Sequence, residues 1–175
     1  MLLAYGVFPW FVQEKAAAPA NPICPMQVEH ASSVKDRRHE GVVERGDKMM
    51  GFAHKKTTHH FRAYADGGSI EAEANDSEDA ASRDQIRSHL AHITTLFAAG
   101  NFSAPVFIHQ QNPPGTEAMK RLRHEIQYKL ELTKKGARIR IRTKDPEALR
   151  AVHEFLRFQI SDHQTGDSPD VGKLP

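Results

Sequence analysis

Cys24 is the only cysteine in 175 residues, so no intrachain disulfide framework can brace this chain. No stretch reaches the roughly 18–20 consecutive apolar residues that a membrane-spanning helix needs. Charge of one sign is scarce as well. With 24 Lys and Arg against 22 Asp and Glu, the formal net charge is +2, too small to argue for nucleic acid by itself. The chemistry-bearing signatures are missing too. There is no His-Glu-x-x-His, Cys-x-x-Cys or Cys-x-x-Cys-His, and no serine elbow, P-loop or dinucleotide fingerprint. No motif therefore fixes a reaction.

What the chain has is histidine, 11 in all. Four fall in two tight pairs: His59-His60 within Thr57-Thr58-His59-His60-Phe61, and His89 and His92 within Ser88-His89-Leu90-Ala91-His92-Ile93. Imidazole is the commonest protein metal ligand. Whether these four meet depends on the elements that carry them.

Residues 58–65 alternate, Asp66-Gly67-Gly68 makes a hairpin turn, and residues 69–74 alternate again. Phe61 and Ala63 share a buried face with Ile70, Ala72 and Ala74. Asn75 and Asp76 offer a cap, Glu78 and Asp79 suit a helix start, and Ile86, Leu90, Ile93 and Phe97 form its apolar stripe before Gly100. The pattern then recurs. Ile126, Tyr128, Leu130 and Leu132 alternate, Lys134-Lys135-Gly136 turns, and Ile139 and Ile141 face in. Asp145-Pro146-Glu147 opens a second helix, whose stripe is Leu149, Val152, Leu156 and Ile160. The expected fold class is α+β: two ββα units forming a four-stranded antiparallel sheet with helices on one face. The expected layout is a signal-like apolar segment over residues 1–20, a flexible arm over 21–50, one domain over 51–163 and a disordered tail over 164–175.

On that fold His59 faces the helices with Phe61, and His60 faces out. His89 and His92 share a flank of the first helix, about one turn apart. His109, after Val106-Phe107-Ile108, and His153, within the second stripe, also have reason to point inward. A lone inward histidine is usually a hydrogen-bonded core residue, and an i, i+3 pair is often mere surface. The case for a metal rests on several placements converging: His59, His89 and His92, with His60 or His109 as a fourth ligand. Such a set suits zinc or copper(II).

Softer donors lie upstream. Cys24-Pro25-Met26 is followed by His30, and Met49-Met50 precedes His54; sulfur beside imidazole favours copper(I). Cys-Pro-Met is similar to the opening of small heavy-metal-binding domains, although Gln27 stands where those carry histidine. From about Met50 to Gly166 the chain resembles small histidine-bearing exported bacterial proteins, through Lys-Thr-Thr-His-His-Phe, His-Leu-Ala-His-Ile, Asn-Pro-Pro-Gly and the run from His153 to Ile160. That resemblance implies a compact domain in the cell envelope and brings no activity with it. Independently, Leu2–Val12 has the length of a signal-peptide apolar region, and Ala16–Ala20 looks like its small-residue exit. Periplasmic or secreted export is the expectation.

The other face of the sheet would carry Arg62, Lys129, Arg138, Arg140 and Arg142, a basic stripe for a partner protein or a second copy of the chain. Glu71, Glu73 and Glu131 interrupt it. Tyr64 is its only aromatic, which argues against RNA. Glu71 and Glu73 are expected to pair with these arginines and not to act as an acid–base couple. The leading expectation is an exported, non-enzymatic copper- or zinc-binding protein. Two other readings stay open: an interaction module that docks a partner through the basic face, and a small metalloenzyme with an open coordination position.

Overall fold

The computed structural model describes residues 25–174, with side-chain surroundings from residue 36 onward. The expected signal-like segment and Cys24 lie outside the described residues, as do the surroundings of Met26 and His30. The elements run α1 (Pro25–Met50), β1 (Thr57–Tyr64), β2 (Gly67–Ala74), α2 (Ala80–Ala98), α3 (Ser103–His109), α4 (Thr116–Arg121), β3 (Ile126–Leu132), β4 (Gly136–Thr143), α5 (Pro146–His163) and β5 (Val171–Gly172).

The class is mixed α and β, but the sheet differs from the expected four antiparallel strands. It is an open five-stranded sheet in the order β3-β4-β2-β1-β5, and β5 joins β1 in parallel. The cause lies in the segment expected to be a disordered tail. Asp167 accepts a hydrogen bond from the Phe61 backbone N–H at 3.0 Å, and its other oxygen lies 2.9 Å from His60 Nδ1. Thr165 Oγ1 donates to the same carboxylate at 2.8 Å. These bonds carry the chain back along β1, where Val171 and Gly172 pair with Ala63 and Tyr64.

The expected arm also differs, since Pro25–Met50 is a single helix. Half of its residues are Glu, Arg, Met, Lys, Gln or Ala, all good helix formers. An apolar stripe is hard to see because polar bonds do much of the seating. Val42 is fully buried, but Arg45 Nε donates to the Ile108 carbonyl at 2.6 Å and Arg38 Nε to Asp162 Oδ1 at 2.5 Å.

One face of the sheet builds the core. Phe61, Ala63, Ile70, Ala72, Ile139 and Ile141 are buried beneath α2 and α5. Helix α2 buries Ile86, Leu90, Ile93 and Phe97, and it is capped by Asp79, which accepts from Ser82 N–H at 3.0 Å. The cap sits three residues past the expected Asn75-Asp76. Helix α5 starts where Asp145 accepts from Glu147 N–H and Ala148 N–H, with Pro146 in its first turn. Its buried face is centred on Val152, Phe155, Leu156 and Ile160, while Leu149 is only half-buried. Phe155 packs edge-on to Phe97 and Phe102, at 5.8 and 6.1 Å between ring centroids.

Gly68 is closely approached both by α5 and by the neighbouring strand. A Cβ there would stand 2.2 Å from Leu156 Cδ1 and 2.6 Å from the Arg62 carbonyl oxygen. Any side chain must therefore displace the Leu156 side chain and the β1 backbone at Arg62. Gly68→Ala is expected to destabilise the fold by about 1–3 kcal/mol, as overpacking does. Urea unfolding checks this, and an unchanged midpoint would show that Leu156 and β1 yield without cost.

Candidate functional site

Beside the aromatic cluster, β1, α2, α3, α5 and the end of α1 line a small apolar cavity of about 70 Å³ that opens to the surface. It is lined by Phe61, Ile70, Leu90, Ile93 and Ile108 and, unusually for such walls, by four imidazoles: His59, His89, His109 and His163. Met50 sits at its rim from α1. Each imidazole arrives by a separate local rule. Strand alternation turns His59 inward next to Phe61. In α2, His89 is one residue before buried Leu90. In α5, His163 follows Ile160 by three residues and continues that helix's buried face.

Ring contacts fix the cluster. His59 stacks on Phe52 at 5.9 Å and faces His163 at 6.3 Å. His89 meets the edge of Phe52 at 5.7 Å. His163 stacks on Phe61 at 5.5 Å and stands perpendicular to His109 at 5.0 Å. Burial, followed by repulsion from neighbouring imidazoles, pushes His59 and His89 down to about 4 and His163 to about 3. All three are neutral at pH 7, the form that offers a lone pair to a metal.

Two histidine environments can be separated. His54, His60, His109 and His153 are each tied to a protein oxygen: Asp47, Asp167, Asp162 and the Tyr64 carbonyl respectively. His59, His89 and His163 make no side-chain hydrogen bond to another described residue, and their ring nitrogens are not among the fully buried unpaired atoms. His109 lines the cavity but is held at both nitrogens. Nδ1 lies 2.5 Å from Asp162 Oδ2, and Nε2 lies 2.9 Å from Gln159 Oε1. Burial alone would raise the Asp162 carboxyl, but hydrogen bonds from Arg38 and His109 hold it below the ordinary range. The amide nitrogen of Gln159, a residue 3% exposed, has no partner.

The expected ligand set is therefore only partly assembled. His59, His89 and His109 come together. His92 lies on the exposed side of α2, because i, i+3 spacing turns it about 60° past His89 and out of the stripe. His60 is on the opposite sheet face with Asp167. His153 is a structural residue, its Nε2 lying 2.9 Å from the Tyr64 carbonyl and 3.1 Å from that of Gly67. His163 is the addition that the sequence reading missed, although extending the second stripe by one step past Ile160 reaches it. Among the described residues no group of three His, Cys, Asp or Glu side chains is close enough to hold a metal ion.

The basic stripe is largely neutralised within the chain. Glu71 accepts from Arg62 at 2.8 Å and from Arg138 at 3.1 Å. Arg140, 2% exposed, lies over the Tyr64 ring at 4.9 Å and pairs with Asp66, which also has Arg142 at 3.5 Å. Lys129 stands 3.3 Å from Glu131. Among the described residues no single helix is long and apolar enough to cross a membrane. Comparison of the chain with family models, with curated proteins and with solved structures found no match.

The imidazoles make stability pH-dependent in a defined direction. Their folded-state values lie below the unfolded value of about 6.5, so between these limits the unfolded chain binds more protons. Stability is thus full above about pH 6.5 and falls as pH drops toward 4. Asp79, Asp162 and Asp167, held below the ordinary carboxylate range, act only at lower pH. The expected result is a lower urea midpoint at pH 5 than at pH 7.5, with a smaller drop in His163→Leu. Equal midpoints would show that the rings protonate freely in the folded state.

Proposed function

We propose that this is a metal-binding protein without a reaction of its own, and that copper is the ion it carries in its histidine-lined cavity. The observation that carries the reading is the set of three neutral imidazoles, His59, His89 and His163, which line one apolar cavity without a side-chain hydrogen bond to another described residue, with Met50 in the same lining. Imidazole alone suits zinc or copper(II); a thioether next to it shifts the preference toward copper(I). Copper(I) also accepts few ligands, so two imidazoles and one sulfur suffice where a tetrahedral zinc site would need four. The site takes shape when the side chains turn toward the ion, since no three classical ligands are preassembled. Export to the envelope is part of the same proposal and is supported by the apolar run Leu2–Val12 and the small residues after it. Buffering or delivery of copper is the corresponding role.

A second reading, the docking of a partner protein or a second copy through the outer sheet face, has less behind it. Most of the charges on that face are already paired.

Copper(I) titration of untagged protein, with a competing chelator, is expected to give one tight site. His59→Ala, His163→Ala and Met50→Leu should each weaken it by on the order of tenfold or more. His60→Ala and His92→Ala should leave it unchanged, because those rings do not reach the cavity. Loss of binding in His92→Ala equal to that in His59→Ala, or protein that binds neither copper nor zinc, contradicts the proposal.

A further inference from the structure

The sheet has two edges, and the chain treats them differently. At β1 the returning tail closes the edge: Asp167 accepts from Phe61 N–H, and Val171 and Gly172 pair with Ala63 and Tyr64. At the opposite edge β3 has β4 on one side and, among the described residues, no strand on the other. Thr133 N–H donates to the Gly136 carbonyl at 3.1 Å, which sets the alternation of that ladder. Counting back from it, Glu131, Lys129 and Gln127 bond to β4, opposite Arg138, Arg140 and Arg142. The N–H and C=O groups of Tyr128, Leu130 and Leu132 therefore point away from β4, toward the open side. Such an edge is a template for another strand unless something blunts it. The backbone does not blunt it, since Ile126–Leu132 has no proline or glycine and pairs with β4 residue for residue, without a bulge. The apolar side chains also run out of cover along the strand: Ile126 is buried, Leu130 half-buried and Leu132 65% exposed.

We propose that β3 pairs antiparallel with β3 of a second copy of this chain, about a two-fold axis at Leu130, joining the two sheets into one. The charges select this register. With Leu130 opposite its own counterpart, Lys129 of each copy faces Glu131 of the other. Within one copy these two groups already stand 3.3 Å apart, so across the axis four charges alternate in sign. Moving the axis by one residue sets Lys129 against Lys129 or Glu131 against Glu131, and like charges directly opposite repel. Moving it by two sets Glu131 against Glu125 or Lys129 against Lys135. The backbone agrees with the same register. Leu130 bonds to its counterpart through the outward N–H and C=O, and Tyr128 bonds to Leu132 on either side of it. Exposed Leu132 is thereby covered by Tyr128 of the other copy. Lys129 and Glu131 fall in the non-hydrogen-bonded pairs, where side chains approach most closely. A lysine that deters a foreign strand is thus answered only by this strand itself. The contact lies at the edge of the sheet, so the charge pairs on its outer face stay as they are, and a two-fold axis closes the assembly at two copies.

The test is analytical ultracentrifugation of the full, metal-free chain across a range of concentrations. A species of twice 19.6 kDa is expected at about 100 µM and should dissociate on dilution, as a small interface of one strand pair does. Lys129→Glu and Glu131→Lys each set like charges across the axis and should weaken the dimer about tenfold or more. Lys129→Glu/Glu131→Lys exchanges the two charges and should restore the wild-type affinity. Mixed in equal amounts, the two single variants should form a dimer with each other. If Glu131→Lys does not fold, Lys129→Glu, at an exposed position, carries the test alone. Wild-type protein that stays monomeric at every concentration overturns the inference, whatever else covers the edge. A dimer that the single variants leave intact overturns it too, because the contact then lies elsewhere. Neither result bears on the copper reading, since no residue of β3 lines the cavity.

Discussion

The carboxylate of Asp162 joins three helices at one point beside the cavity. One oxygen receives Arg38 from α1 and the other receives His109 from α3, while the residue itself sits in the last turn of α5, directly before His163. Its backbone carbonyl also lies 3.3 Å from His39 Nδ1. Sheet and helices alone would give a two-layer fold with α2 and α5 side by side. The Asp162 contacts add α1 and α3 as a further cover over the gap between them. A charged pair so placed contributes geometry more than net stability, because burying the carboxylate offsets much of the attraction.

Within that frame the imidazoles divide by partner. A histidine that faces a carboxylate or a carbonyl is a fastener: His60 holds the returning tail, His153 holds α5 over the hairpin, and His109 holds Gln159. A histidine set among hydrocarbon and other imidazoles, without a carboxylate or carbonyl partner, keeps a lone pair at neutral pH. Burial supplies this by making the charged form costly, so His59, His89 and His163 are ready ligands without having to release protons first. Thus the apolar wall both suppresses protonation and reserves the ring nitrogens.

The strands were legible because the alternation at Phe61, Ala63, Ile70 and Ala72 has one reading, and that reading placed His59 correctly. Asp145-Pro146 marked the start of α5 for the same reason: few other positions tolerate that pair. Three features were not legible. Helix α1 is seated by Arg38 and Arg45 as well as by Val42, so a search for apolar spacing passes over it. Strand β5 depends on one carboxylate, Asp167, finding a backbone N–H more than a hundred residues away. His163 closes a stripe of otherwise apolar residues, and a polar residue at the end of a helix reads as its exit. His92 failed for a geometric reason: three residues along a helix is 300°, which left it outside the arc that His89 just enters.

The central claim is that His59, His163 and Met50, which come from three separate elements, bind one ion together. X-ray absorption at the copper edge of copper(I)-loaded protein measures this most directly. The account predicts at least two imidazole shells and a sulfur shell, with the sulfur lost in Met50→Leu and one imidazole lost in His163→Ala. A spectrum without imidazole scattering, or one unchanged by both substitutions, would place the copper elsewhere and contradict it.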